Sequence, residues 1–335
     1  MPIRTPETST PGHARLMGVG GYRPSRVVPN SEIVEAIDSS DEWIRTRSGI
    51  TERRWATPEE TVQMMSVAAG RKAIEAAGLD PQQIDCVIVA TVSHMLQTPS
   101  LAALVADELG TDHPAAFDIS AACAGFCHGI SMASDFVRGG SAKHVLVIGV
   151  ERLSDLTNLR DRGTAFIFAD GAGAAVVGPS DVPGIGPVVW GSAGEQADLI
   201  KQDVDWLTWG TAAERVEQPY LTMDGNPVFR WAAFSMAKVG QEALDRAGVG
   251  VDELDCFVPH QANLRIVDAL ARSMKLPESV TIARDITTMG NTSAASIPLA
   301  LERLIENGEA KTGDTALLIA FGAGLVYAAQ VVIVP

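Results

Sequence analysis

The chain has 335 residues, 46% hydrophobic and 20% charged, enough to bury a core without disulfides or metals, and neither disordered nor fibrous. At roughly 150 residues per domain, that length implies two domains or one large duplicated unit. With 26 basic and 41 acidic side chains the net charge is −15, which excludes a nucleic-acid protein and argues against docking on anionic membranes.

Residues 1–20 lack the apolar core of a secretory signal. Cys86, Cys123, Cys127 and Cys256 are too few to form a disulfide framework in so long a chain. A cytoplasmic location is therefore expected. The glycine-rich stretches "GVGGYRP" (18–24) and "DGAGA" (170–174) resemble phosphate loops but do not complete a dinucleotide fingerprint. Turns and close strand packing are expected there.

The most informative feature is an internal repeat. "KAIEAAGLDPQQIDCVIV" (72–89) matches "QEALDRAGVGVDELDCFV" (241–258), pairing Gly78 with Gly248 and Cys86 with Cys256 at a spacing of 170. At the same spacing "HVLVIGV" (144–150) falls on "DTALLIA" (314–320), and "ISAACAGF" (119–126) on "MGNTSAAS" (289–296). Helices alternating with continuous apolar strands imply βαβ units with covered faces. The expected organisation is two similar α/β halves, 1–180 and 181–335, packed face to face. Residues 181–230, with Pro, Gly and acidic residues, read as a crossover and a surface loop.

Four features could carry chemistry. Cys123 follows the strand-like stretch 116–120, and Phe126, Ile130, Ala133 and Val137 recur after it at helical spacing. A cysteine at a helix N-terminus is expected to have a lowered pKa, whereas Cys86 and Cys256 read as structural residues inside strands. Cys127 and His128 raise a metal alternative with Cys123, but the spacing is not that of a zinc ribbon. His260, in "VPHQAN", follows an apolar strand at the edge where α/β sites collect, with His94 as a weaker rival. Asn291, in "GNTSAAS", reads as a helix cap, yet its junction is the repeat partner of the one at Cys123. "ALLIAFGAGLVYAAQVVIVP" (316–335) is long enough to span a bilayer, but Gly322 and Gly324 split it into two strands and a tight turn.

Five motifs, in order along nearly the whole chain, resemble the beta-ketoacyl-acyl carrier protein synthase III family. They are "DSSDEWIRTRSGI" (38–50), "SAACAGF" (120–126), "DRGTAFIFADGAGA" (161–174), "VPHQAN" (258–263) and "GNTSAAS" (290–296). The resemblance implies a thiolase-like fold, two duplicated α/β halves in an αβαβα arrangement, and a homodimer. It implies that Cys123 takes an acyl group from acyl-CoA as a thioester, and that malonyl-acyl carrier protein then condenses on it with loss of carbon dioxide. His260 and Asn291 would donate hydrogen bonds to the enolate, and the backbone N–H groups of Cys123 and Ala323 would hold the acyl oxygen. An acyltransferase or priming synthase of a polyketide pathway is the alternative on the same fold.

By the same matching, Trp43 and Arg162 would sandwich the CoA adenine and Arg47 would meet its phosphates. Gly163, Phe229, Ala262 and Asn263 would line the pantetheine channel. Arg265, Arg272 and Lys275, on one side of the helix after His260, would dock the acidic carrier protein. Where acetyl-using relatives carry a bulky aromatic before the proline matching Pro99, this chain has Thr98, so a deeper acyl pocket is expected. No metal or resident cofactor is implied.

Overall fold

The computed structural model describes residues 12–211 and 218–335; the sequence reading of residues 1–11 lies outside the described residues. The first sheet runs, in spatial order, Ala115–Ile119, Cys86–Ala90, Val145–Arg152, Asp170–Ser180 and His13–Tyr22. The first three strands are parallel and the last two are antiparallel to their predecessors. The second sheet runs Thr281–Ile282, Cys256–Pro259, Thr315–Phe321, Tyr327–Ile333 and Val189–Gly191, with the same succession of senses. The sequence repeat is thus a repeat of topology.

Side-chain alternation along the strands creates the layers, because successive residues point to opposite faces. In the first sheet Ile88 and Val147 face the middle of the molecule, while Val87, Val89, Leu146 and Ile148 face outward. In the second, Leu318 and Ala320 face the middle, while Phe257, Leu317 and Ile319 face outward. Helices Gly125–Gly139 and Ser296–Glu306 fill the space between the sheets. Val62–Ala76 and Leu101–Leu109 cover the outside of the first sheet, and Gly225–Ala247 and Leu264–Ser273 the outside of the second. The result is the five-layered thiolase-like arrangement. Each aliphatic side chain fully buried in it contributes about 1.5–3 kcal/mol.

The glycine stretches serve this packing. A Cβ on Gly20 would stand 2.5 Å from the Ala73 backbone nitrogen, so helix Val62–Ala76 lies directly on its strand. "DGAGA" likewise lies in a strand, Asp170–Ser180. The segment 316–335 forms two strands, Thr315–Phe321 and Tyr327–Ile333, paired antiparallel around a short turn. Among the described residues no helix is long and apolar enough to cross a membrane.

Residues 181–230 depart from the expected loop. They supply the edge strand Val189–Gly191, a two-stranded ladder of Ile200–Gln202 with Leu221–Met223, and helix Trp206–Thr211. The strands are three residues each, too short to show an alternation against their Gly, Pro and acidic surroundings. The part of that reading on 212–217 lies outside the described residues.

Candidate active site

Two equivalent junctions build the floor of the site. After strand Ala115–Ile119 a tight turn, Ala122–Ala124, leads into helix Gly125–Gly139 and carries Cys123. In the other half a tight turn, Ser293–Ala295, leads into helix Ser296–Glu306, with Asn291 just ahead of it. The turns touch one another. Ala122 and Ser293 both adopt left-handed backbone, with φ of 45° and 47°, and Leu325 opposite them has φ 43°. Such conformations cost about 1–3 kcal/mol each in a residue with a Cβ and persist where the surroundings over-determine them.

The backbone of Asn291 is clamped by "DRGTAFIFADGAGA". Its N–H donates to the Ile167 carbonyl at 2.9 Å, and its carbonyl accepts from Ala169 N–H at 2.9 Å. Gly290 before it has φ 74°, and a Cβ there would meet Arg53 Cβ at 2.8 Å. The Asn291 Oδ1 accepts from Ser293 N–H at 2.8 Å, which leaves its amide NH₂ to be offered elsewhere.

His260 follows strand Cys256–Pro259, its N–H donating to the Ile319 carbonyl at 2.8 Å. Its Nδ1 lies 2.7 Å from Ser296 Oγ. That hydroxyl also accepts from Gln261 N–H at 3.3 Å; with its hydrogen given to Nδ1, the ring proton is on Nε2, the tautomer that donates into the cavity. The imidazole packs edge-on against Phe321 at 5.3 Å and is 2% exposed. Burial holds its pKa down, to about 3, so it is a neutral donor at physiological pH.

Cys123, His260, Asn291 and Gly322 border one cavity of about 440 Å³. Its middle is walled by Phe166, Ile167, Phe168, Phe229 and Trp231, and its rim carries Trp43, Arg47, Arg162, Gly163, Asn263 and Arg265. Burial grades along it: His260 and Asn291 are buried, whereas Arg47, Arg162 and Arg265 are exposed. The form is a channel, cationic at the mouth, apolar in the middle and hydrogen-bonding at the floor. At the mouth the Arg162 guanidinium lies 4.9 Å over the Trp43 ring, which meets Phe166 edge-on at 5.2 Å. Arg47 lies 6.0 Å from the same ring.

The Cys123 thiol differs from expectation. Burial pushes it up, to about 12, against smaller stabilising contributions from the Ser293 hydroxyl and a backbone N–H. Desolvation of a sulfur enclosed by two packed turns outweighs the helix terminus. Cys86, Cys127 and Cys256 are also raised by burial, and Cys127 points into the core away from His128, which stacks on Trp190 at 5.6 Å. His94 does not border the cavity.

Several expected roles are relocated. Thr98 is exposed, within the exposed run 95–99, and does not line the cavity. Lys275 is not on the helix of Arg265 and Arg272, which ends at Ser273. Lys275 sits at φ 56°, with its N–H donating to the Arg272 carbonyl at 3.1 Å and Leu276 N–H donating to that of Ala271 at 3.0 Å. This is a Schellman ending with lysine where glycine is usual. Arg265 belongs to the cavity rim and lies 5.1 Å from the Phe229 ring. Asn263 caps the same helix, accepting from Arg265 N–H at 2.9 Å, and donates to the Arg47 carbonyl at 3.1 Å. Ala262 lines the cavity. Ala323 does not, but its neighbour Gly322 does and packs against Cys123. The Gly322 N–H donates to the Val326 carbonyl, leaving that of Ala323 as the next amide in the turn.

Sequence reasoning passed over Ser293, Ser296, Phe321 and Gly322. The two serines lie inside "GNTSAAS" and the other two beside Ala323, so the motifs marked their neighbourhood without their roles.

Comparison with known proteins agrees with this geometry. The family model described as "3-Oxoacyl-[acyl-carrier-protein (ACP)] synthase III" matches residues 117–194, and its C-terminal counterpart matches 244–334. The beta-ketoacyl-acyl carrier protein synthase III 1 of Streptomyces coelicolor is 61% identical over 332 residues, covering 96% of this chain and 97% of that protein. That of Streptomyces glaucescens is 62% identical over 324 residues, with the same coverage. Among solved structures, the priming beta-ketosynthase of the R1128 polyketide pathway superposes with a TM-score of 0.97 at 50% identity, covering 100% of this chain and 99% of that one. The 3-oxoacyl-acyl carrier protein synthase III of Aquifex aeolicus superposes at 0.88 with 39% identity, covering 96% and 99%. With a cysteine, a neutral histidine and an asparagine gathered in one channel of a duplicated α/β fold, and relatives this similar over the whole chain, the protein belongs to the beta-ketoacyl-acyl carrier protein synthase III family of condensing enzymes.

Proposed function

We propose that the chain initiates acyl-chain synthesis in two half-reactions at one cysteine. In the first, the Cys123 sulfur attacks the thioester of an acyl-CoA and CoA thiol leaves. The N–H groups of Cys123 and Ala323 hold the tetrahedral oxyanion. In the second, malonyl-acyl carrier protein enters the same channel and loses carbon dioxide, and its enolate carbon attacks the acyl-cysteine to give 3-oxoacyl-acyl carrier protein. His260 Nε2–H and the Asn291 amide donate to the enolate oxygen. Donors, not a strong base, suit this step because departure of carbon dioxide supplies the electron pair.

The observation that carries this reading is that Cys123, His260 and Asn291 border one channel whose rim carries Trp43, Arg47 and Arg162. At its mouth Trp43 and Arg162 are the pair for the CoA adenine and Arg47 for its phosphates, with Gly163, Phe229, Ala262 and Asn263 along the pantetheine arm. Arg162 must swing off the indole to admit a base. Arg272 and Lys275 outside the rim, and Arg265 on it, would meet the acidic carrier protein. Both substrates bring their own reactive groups, so the reading includes no resident cofactor.

The halves 1–180 and 181–335 each supply one wall of the floor in this reading. A homodimer is supported by the exposed Met95 and Leu96 beside Thr98, an apolar segment that a second copy would cover. The cytoplasm is the compartment it requires, since acyl-CoA and carrier protein must meet a reduced cysteine. The polyketide-priming alternative draws on the R1128 enzyme, at 50% identity over the whole chain. The test is turnover with malonyl-acyl carrier protein and a panel of straight and branched acyl-CoA primers. Release of carbon dioxide with formation of a 3-oxoacyl product is expected, and acyl transfer without release would overturn condensation.

A further inference from the structure

Beneath the sulfur lies an acid that the mechanism above does not use. Glu151, near the end of strand Val145–Arg152, is 0% exposed. Its Oε2 accepts from Ser93 Oγ at 2.6 Å, Val92 N–H at 3.1 Å and Thr91 Oγ1 at 3.3 Å. Its Oε1 accepts from Ser293 Oγ at 3.2 Å. Among the described residues it forms no ion pair, so a buried carboxylate is held by neutral donors alone. Ser293 also stands in the turn packed against the one that carries Cys123, and its hydroxyl counters the rise in the thiol's pKa. One side chain therefore lies between the cysteine and the acid.

Acylation must dispose of the thiol proton, and His260 is poorly placed to take it: its Nδ1 is held by Ser296 and its Nε2 carries the proton the second half-reaction needs. We propose that Glu151 receives the Cys123 proton through the Ser293 hydroxyl and returns it to the departing CoA. As the sulfur electron pair forms the new C–S bond, the thiol hydrogen passes to Ser293 Oγ while the Ser293 hydrogen passes to Glu151 Oε1. When the oxyanion collapses and the bond to CoA sulfur breaks, the proton returns along the same hydroxyl to that sulfur, and Glu151 is reset. No proton is gained or lost overall. Glu151 does not touch substrate; it is a positioning residue acting through Ser293.

The proton affinity of Glu151 fits the task. Burial raises its carboxyl from the ordinary value to about 7, so it can hold or release a proton near neutrality. Of the ionisable groups on the elements packed around it, Cys123 faces it. Arg152 points to the opposite face of the strand and pairs with Asp155 at 3.0 Å. Asp170, opposite Arg152, is satisfied by Ser154 and by Ala56 N–H. Cys127, His128, Asp135 and Arg138 on helix Gly125–Gly139, and Arg71, Lys72 and Glu75 on Val62–Ala76, make no contact with its carboxylate.

This inference rests on the acylation step proposed above, and its test separates the two half-reactions. Glu151→Gln and Ser293→Ala enzymes are mixed with acyl-CoA between pH 5.5 and 9, and acyl-Cys123 is followed by mass spectrometry in single turnovers. Wild-type acylation is expected to rise with a midpoint near pH 7, and both variants to lose that midpoint and slow by about 10²-fold or more, the usual worth of a proton-transfer partner. Carbon dioxide release from malonyl-acyl carrier protein by enzyme already acylated is expected to fall far less. Unchanged acylation in either folded variant, or equal losses in both half-reactions, overturns the role of Glu151 while leaving the functional reading intact. A wild-type enzyme that never becomes acylated on Cys123 overturns both.

Discussion

The contact between Gly322 and Cys123 gives the sharpest quantitative test of the site. A Cβ on Gly322 would stand 2.7 Å from the Cys123 backbone nitrogen, 2.9 Å from its Cβ and 3.1 Å from its sulfur. Ordinary contact begins at 3.4 Å, so Gly322→Ala forces the turns about 0.7 Å apart. Neither side yields easily: one neighbour is backbone in a strained turn, and the other leads directly into the buried strand Thr315–Phe321. Overpacking of this kind costs about 1–3 kcal/mol of stability. The same displacement separates the Cys123 and Ala323 N–H groups that must point at one oxygen. Misplacement by about 1 Å, or loss of one such donor, costs roughly 10²-fold or more in rate, equivalent to about 2.7 kcal/mol. Single-turnover acylation measured by mass spectrometry, alongside thermal unfolding, should show acylation about 10²-fold slower in a folded protein. A variant that acylates at the wild-type rate would refute the claim that these two turns form the oxyanion site.

Other expectations follow from the same geometry. Asn291→Ala and His260→Ala should each slow carbon dioxide release by about 10²–10³-fold while still forming acyl-Cys123, checked with labelled malonyl-acyl carrier protein. Buried His260 takes a proton only near pH 3, whereas the unfolded chain takes it near 6.5, so its contribution to stability is lost as pH falls through that window. Glu151, protonated in the folded state up to about pH 7, acts in the opposite sense above about pH 4.5. Because the Glu151 contribution is common to both proteins, wild type and His260→Gln should diverge progressively as pH falls from about 6.5 to about 3, by at most about 1.4 kcal/mol per pH unit in denaturant unfolding, and equal slopes would contradict the burial argument. Arg272→Glu should raise KM for malonyl-acyl carrier protein and not for acyl-CoA. Arg265→Glu, on the cavity rim, should raise both, and the reverse pattern would relocate the docking surface.

The architecture was readable because duplication leaves a period that composition cannot hide: Cys86 and Cys256, 170 residues apart, sit at the same place in two sheets of the same order. The junctions at Cys123 and Asn291 were readable for the same reason. What escaped depends on relations no local pattern encodes. The Cys123 thiol is raised, not lowered, because the opposite half closes over the sulfur. Lys275 left its helix through a lysine in a conformation usually given to glycine. Thr98 is exposed and outside the cavity, since a motif match carries a residue's identity but not its position relative to the pocket. The partnership of Ser293 with Glu151 spans 142 residues and lacks any spacing to betray it.

Cys123 and Asn291 occupy corresponding strand-to-helix junctions of a duplicated chain, one in the turn and the other just ahead of it. In a symmetric pair of identical subunits, a pocket on the twofold axis would hold two sulfurs or two amides, never one of each. One chain carrying both copies is free of that constraint: one junction supplies a sulfur and the other an amide, and the channel draws its floor from both halves.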